Sequence, residues 1–299
     1  MLFSGRFLEF GAWFQSIAAV AGFCLVSSAA YLVNDLRDRQ GDRQHPTKRF
    51  RPIAAGSLSP ATAIAAAAVM VAIGFVLAGG AVMLGVRGSV GVLAYKSPQP
   101  LGGAGLLVWL GGYALLNMLY TFWLKHRAIV DVLVVAMMFV MRAMGGAAAI
   151  AVPISPWLVV CTFTLCLFMA VAKRRSETVE MPPGQAHEVR KAHLGYQLDT
   201  IEHMLTVSAA MALMTYSLYC LAPRTVGHIG SGHMVWTIPL VIYGTFRYYR
   251  RCHRPGGSDI VAVLTGDRVM WLVIALYVAL VALITTFGRL DSIKPILDV

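Results

Sequence analysis

Three aspartates, six Lys/Arg residues and one histidine are gathered in NDLRDRQGDRQHPTKRFRPIAAG, residues 34–56. Asp35, Asp38 and Asp42 are spaced i, i+3 and i+7, which aligns their carboxylates along one face of a helix; Asn34 lies one turn before Asp38 on the same side. Such a face presents oxygen atoms, the ligands that hard cations of the Mg2+ kind take, usually shared with substrate phosphates and water. Acids at the C-terminal end of a helix oppose its macrodipole, so helix stability does not account for them. His45-Pro46 then breaks the helix, because proline lacks an amide donor and restricts the residue before it. Lys48, Arg49 and Arg51 follow, and Pro52 fixes the exit. Arginine suits bidentate phosphate contact and lysine acts as a point charge. Carboxylates for a metal beside cations for oxyanions form the composition expected around a diphosphate–magnesium complex. Two plainer readings stay open. The acids can pair with Arg37, Arg39 and Arg43 at a solvated helix end, and the bases can simply anchor the loop at a membrane surface.

A second polar stretch, KRRSETVEMPPGQAHEVRKAHLGYQLDTIEH, covers residues 173–203. Lys173 and Arg174 are candidate phosphate contacts there. Glu177 and Glu180 could serve a second metal, Tyr196 is a further polar candidate, and Asp199 could orient a lysine or arginine. Two more charges, Asp131 and Arg142, lie inside apolar runs. Ionisable groups within a membrane are costly and point to function by default. Asp131 lies within a turn of its run's end, which leaves open that it simply reaches the headgroups, whereas Arg142 is deeper and is expected to face a cavity. Asn117 is expected to hydrogen-bond between helices.

These residues need elements to hold them. The 299 residues are 58% hydrophobic and 13% charged, with a mean hydropathy of +0.69. A soluble domain carries about 25% charged residues, so the chain reads as an integral membrane protein. Apolar runs at 11–33, 60–86, 102–124, 128–151, 156–172, 204–222, 234–247 and 268–288 predict an all-α bundle of about eight spans. The 234–247 run is short for a crossing. Of the 25 Lys/Arg, 18 fall at 34–59, 125–127, 173–191 and 247–268, which are alternate loops on one side. That side is cytoplasmic by the positive-inside rule, so most of the +11 net charge is topology and not a nucleic-acid surface. The parity places the N-terminus outside, and no cleavable signal segment is visible. Cys24, Cys161, Cys166, Cys220 and Cys252 show no metal-ligand spacing. The chain reads as one membrane domain over residues 1–299, and its two polar loops suggest two related halves with a polar site between them.

With these residues in view, the sequence resembles the UbiA-type membrane prenyltransferase superfamily, whose first aspartate motif matches Asn34-Asp35, Asp38 and Asp42. The string DRQHPTKRFRP (42–52), with KHRAIVD (125–131), RAMGG (142–146) and AKRRSE (172–177), is similar to the decaprenyl-phosphate phosphoribosyltransferase branch, which includes nodulation-factor relatives. The resemblance covers nearly the whole chain. It implies nine helices around a cavity, of which eight are visible here, the helix before the aspartates being absent. It implies Mg2+ at Asn34, Asp35, Asp38 and Asp42, and a catalytic set of Asp35, Asp38 and Lys173. It further implies phosphate contacts from Lys48, Arg49, Arg51, Lys173 and Arg174, with His45, Asp131, Arg142, Glu177, Tyr196 and Asp199 as additional candidates. The implied reaction moves 5-phosphoribose from phosphoribosyl diphosphate to a polyprenyl phosphate, en route to lipid-linked arabinose. It would take place in the inner cell membrane with the site facing the cytoplasm. The family's second acidic motif is replaced by KRRSE, a cationic string that suits two phosphorylated substrates. Transfer of a polyprenyl group from its own diphosphate to an aromatic or lipid acceptor is the nearest rival. A transporter of phosphorylated metabolites is the distant one, disfavoured because the charge lies at the rim and not at the midplane. A homo-oligomer is left open.

Overall fold

A computed structural model of the protein describes residues 10–44, 48–88, 105–152, 155–179, 197–253 and 266–297. Among them every regular element is helical. The long helices are α1 (Phe10–Gln44), α3 (Pro60–Gly88), α4 (Gly105–Phe122), α5 (Val130–Ala149), α6 (Pro156–Val179), α7 (Leu198–Leu221) and α10 (Arg268–Leu297). Shorter ones are α2 (Pro52–Ala55), α8 (Pro223–Ile229) and α9 (Ile238–Cys252), with 3-10 turns at Lys48–Phe50, Leu124–His126 and His233–Thr237. The seven long helices are long and apolar enough to cross a membrane. The eighth apolar run instead divides between the His233–Thr237 turn and α9, whose 15 residues reach only about 22 Å.

The helices are apolar outside as well as inside. Ile17, Val20, Val76, Leu115, Met214, Leu272 and Phe287 are exposed, as a lipid-facing surface requires. Several polar side chains within the spans bond back to their own helix. Thr162, Ser217 and Thr285 donate to the carbonyls four residues earlier, which satisfies their hydroxyls without water. Asn117 does likewise, donating to the Tyr113 carbonyl at 2.8 Å, so the expected interhelical bond is replaced by one within α4.

The chain forms two compact units, residues 1–154 and 155–299, one carrying each polar stretch. In the first, small residues let backbones approach, the usual means of packing helices where the solvent is itself apolar. Gly22 on α1 and Gly74 on α3 face each other so closely that a Cβ on either would sit 3.1 Å from the other's carbonyl oxygen. Buried Ala18, Ala19, Ala78 and Ala81 continue this seam. Phe23 fills the space between α1, α4 and α5, packing edge-on against Tyr113 at 5.3 Å and covering Gly145, where a Cβ would fall 2.5 Å from the ring.

In the second unit, α6 meets α7 through a Thr164–Thr215 hydroxyl pair at 2.9 Å, and α6 meets α9 through Phe168 and Tyr248, packed edge-on at 5.5 Å. Tyr216 on α7 bonds to Thr237, and its hydroxyl donates to Tyr277 on α10 at 3.2 Å. Asp267 precedes α10 and accepts the Val269 amide at 3.0 Å, an N-cap. Its two oxygens also accept both arms of Arg247 from α9 at 2.8 Å. That bidentate contact holds the Asp267 carboxyl down at about 2.

Two consequences are measurable. Gly145→Ala forces the locked Phe23 ring to move and should cost about 1–3 kcal/mol, read as a lower Tm in detergent. A carboxyl held below its unfolded value adds stability that is complete above about pH 4 and lost as pH falls through about 2. Asp267→Asn should therefore lower Tm at pH 6 and flatten the fall in Tm below pH 4.

Candidate functional site

The first unit collects the acidic motif at the end of α1. Its helix runs on to Gln44, so Asn34, Asp35, Asp38 and Asp42 share the helical face that their spacing predicts. The four side chains form two pairs, each bridged by a cation from another element. Lys125 Nζ donates to Asn34 Oδ1 at 2.9 Å and to both carboxylate oxygens of Asp38 at 2.6 and 2.8 Å. One nitrogen of Arg51, Nη1, donates to Asp35 Oδ1 and Asp42 Oδ2, both at 2.9 Å. Asp42 is buried, and Asn34, Asp35 and Asp38 are half-buried. Among the described residues, no three His, Cys, Asp or Glu side chains converge tightly enough to hold a metal by themselves.

Local sequence explains how both cations arrive. Beyond the helix break, Arg51 is the residue before α2, in extended conformation, and its amide bonds to the Lys48 carbonyl at 2.9 Å. Pro52 opens α2 and Gly56 closes it at φ +84°, where a side chain would be strained. Ile53 and Ala54 are buried beneath, which anchors this short helix and with it Arg51. Lys125 sits in the tight α4–α5 connection, which includes Ile129 at φ +68°, a conformation rare for a β-branched residue. The Lys125 side chain is only 12% exposed, so its charge is committed to the acids. Neighbouring His126 is held below the usual imidazole range by partial burial and by the charges of Lys125 and Arg37. It stays neutral near pH 7 and adds no cation to the site.

Of the three arginines that the plainer reading pairs with the acids, Arg37 and Arg43 are directed elsewhere. Arg37 donates to the Phe122 carbonyl at 3.2 Å and stacks on the Phe122 ring, and Arg43 donates to the Ala54 carbonyl at 3.0 Å. Lys48 and Arg49 are exposed, with the Arg49 guanidinium over Phe50. His45 lies outside the described residues. Asp131 is buried at the first turn of α5 and does not extend toward headgroups. Arg142 does face a cavity, as expected. It lines a space of about 300 Å³ with Ala19, Phe23, Cys24, Ser27 and Gly146. Its guanidinium lies over Tyr113 and Phe139 and donates to the Tyr113 hydroxyl and to Ser27, the latter at 3.2 Å.

In the second unit, Lys173 is exposed near the end of α6, while Arg174 pairs with Glu177 one turn on at 2.6 Å. Asp199 is exposed in the first turn of α7. Glu180 and Tyr196 lie outside the described residues. Charge here is organised around Glu202, which the spacing did not single out. Glu202 accepts from Arg175 and contacts His253 Nε2 at 3.2 Å, while Arg175 also donates to the Cys252 carbonyl at 3.1 Å. The cluster ties α6, α7 and α9 together. In the first unit the unforeseen residue is Lys125. Its only sequence signal is its place in KHRAIVD, because its contact with Asp38 spans 87 positions.

An amide and three carboxylates make an all-oxygen donor set, which suits Mg2+. Its fit is also visible in the ammonium at Lys125, a cation within 2.9 Å of three of those oxygens. The chain is 31% identical over 266 residues to decaprenyl-phosphate phosphoribosyltransferase of Mycobacterium tuberculosis, covering 89% of this chain and 80% of that protein. The enzyme of the same name from Corynebacterium glutamicum is 34% identical over 197 residues, covering 66% of this chain and 53% of the relative. In fold, the chain is similar to a UbiA homologue from Archaeoglobus fulgidus solved with GPP and Mg2+, at a TM-score of 0.64 and 15% identity, covering 91% and 88% of the two chains. The model of the UbiA prenyltransferase family matches residues 7–264, and the protein belongs to that family of membrane transferases.

Proposed function

We propose that the protein transfers 5-phosphoribose from phosphoribosyl diphosphate to a polyprenyl phosphate, giving a precursor of lipid-linked arabinose. The observation that carries this reading is the juxtaposition at the end of α1 of four oxygen donors with Lys125 and Arg51. Metal ligands and phosphate counter-ions thus share one site. Likeness to two phosphoribosyltransferases favours a phosphoribosyl donor over a prenyl diphosphate. The family model runs through both compact units, which favours one transferase domain.

In this reading Asn34, Asp35, Asp38 and Asp42 would hold Mg2+ when the donor diphosphate is bound. When bound, the ion supplies Lewis-acid neutralisation of the leaving group's charge. Arg51, Lys48 and Arg49 neutralise remaining phosphate oxygens, and Lys173 and Arg174 are proposed as further phosphate contacts. An oxygen of the lipid phosphate attacks ribose C1, the C1–O bond to the diphosphate breaks, and its electron pair leaves with pyrophosphate. The nucleophile is already an anion, so no general base is required. In this reading the site faces the cytoplasm from the inner cell membrane, where the soluble donor is met; the basic loops support that side by the positive-inside rule.

The test is a membrane assay with radiolabelled phosphoribosyl diphosphate and a polyprenyl phosphate. Asp35→Ala or Asp38→Ala should lower turnover by about 100-fold or more at normal expression. Wild-type turnover in either variant would remove the assignment. Giving the purified protein a prenyl diphosphate and an aromatic acceptor tests the rival: prenylated product with no phosphoribosylated lipid would replace the donor class.

A further inference from the structure

The contacts of Lys125 carry a consequence for how ligands enter. Its ammonium engages both oxygens of Asp38 and the amide oxygen of Asn34, from a position only 12% exposed. A divalent ion needs such oxygens at about 2.1 Å, and an ammonium already bonded to both oxygens of Asp38 repels it and competes for their lone pairs. A metal at Asp38 is therefore favoured when Lys125 moves off it.

Charge decides when that exchange is favourable. Asp35, Asp38 and Asp42 carry three negative charges, Lys125 and Arg51 return two positive ones, and His126 is neutral. Arg37 is directed to the Phe122 carbonyl and Arg43 to the Ala54 carbonyl, while Arg39, half-buried beside Asp38, has its Nε buried without a hydrogen-bond partner. The resident cations therefore already offset most of the charge of the acid face. A lone divalent ion would add two positive charges there and strand the Lys125 ammonium in a half-buried site. A divalent ion arriving with a diphosphate brings the anion that the displaced ammonium can face.

We propose that Lys125 is a resident counter-ion that occupies the metal's oxygens, so that metal and diphosphate bind only together. This rests on the metal reading given above and adds a gate to it. The gate keeps a bare metal ion from settling in the acids and makes the soluble donor's diphosphate a condition of metal entry. By reciprocity, the metal must then favour the diphosphate by the same factor.

The test uses purified full-length protein in detergent, with Mn2+ and inorganic pyrophosphate as probes. Bound Mn2+ is read by electron paramagnetic resonance, and labelled pyrophosphate by equilibrium dialysis. Wild-type protein should bind Mn2+ weakly alone and retain pyrophosphate only with Mn2+. Lys125→Met should bind Mn2+ alone about tenfold or more tighter, with a correspondingly smaller effect of pyrophosphate. Lys125→Arg, which keeps the charge, should preserve the coupling. Tm measurements establish that the variants are folded. Unchanged or weaker Mn2+ binding in folded Lys125→Met overturns the gate, provided that Asp38→Asn abolishes Mn2+ binding. Mn2+ binding that survives Asp38→Asn overturns the metal reading itself and the gate with it.

Discussion

Three carboxylates on the C-terminal turns of one helix repel each other and face the negative end of that helix's dipole. The arrangement is tolerable only with positive charge delivered from elsewhere in the chain. In this protein Arg51 and Lys125 deliver it, the first from a chain reversal anchored by buried Ile53 and Ala54, the second from the α4–α5 connection. The geometry of the first unit's polar end follows from that requirement. The Gly22–Gly74 contact fixes α1 against α3, the buried α2 holds Arg51 against Asp35 and Asp42, and the sharp turn before α5 keeps Lys125 over Asp38.

The second unit solves its own charge problem differently. Its polar residues, Arg175, Glu202 and His253, satisfy one another and a backbone carbonyl while stitching three helices together. Asp267 likewise serves as helix cap and arginine partner at once. These pairs are closed by their own contacts. Arg142 in the first unit differs from them, stacked between two aromatic faces and bonded to hydroxyls while lining a cavity. Aromatic faces attract a guanidinium strongly where water is scarce, so an intramembrane arginine can be held this way.

Much of this was legible in the sequence, and the exceptions have physical causes. Apolar length reveals helices because lipid demands continuous internal hydrogen bonding; it failed to give a crossing at 234–247, where the run is too short and is divided by a 3-10 turn. The acid face could be read because helical spacing is local. Its partners could not. Arg37 and Arg43 adjoin the acids in sequence, yet neighbours one or two apart point around a helix in different directions. The true partners come from distances of 9, 16 and 87 residues, set by packing that no periodicity encodes. Asp131 near the end of a span left a headgroup reading and a functional one both open; it is buried, because depth along a helix does not tell which way a residue faces.

The length of α1 links the site to its surroundings. Thirty-five residues of unbroken helix extend about 52 Å, well beyond the roughly 30 Å of a hydrocarbon core. The acids therefore ride on the overhang of a rod whose middle is clamped at Gly22. That overhang carries the carboxylates clear of the apolar layer, so the reach of a single helix sets how far they stand from the lipid.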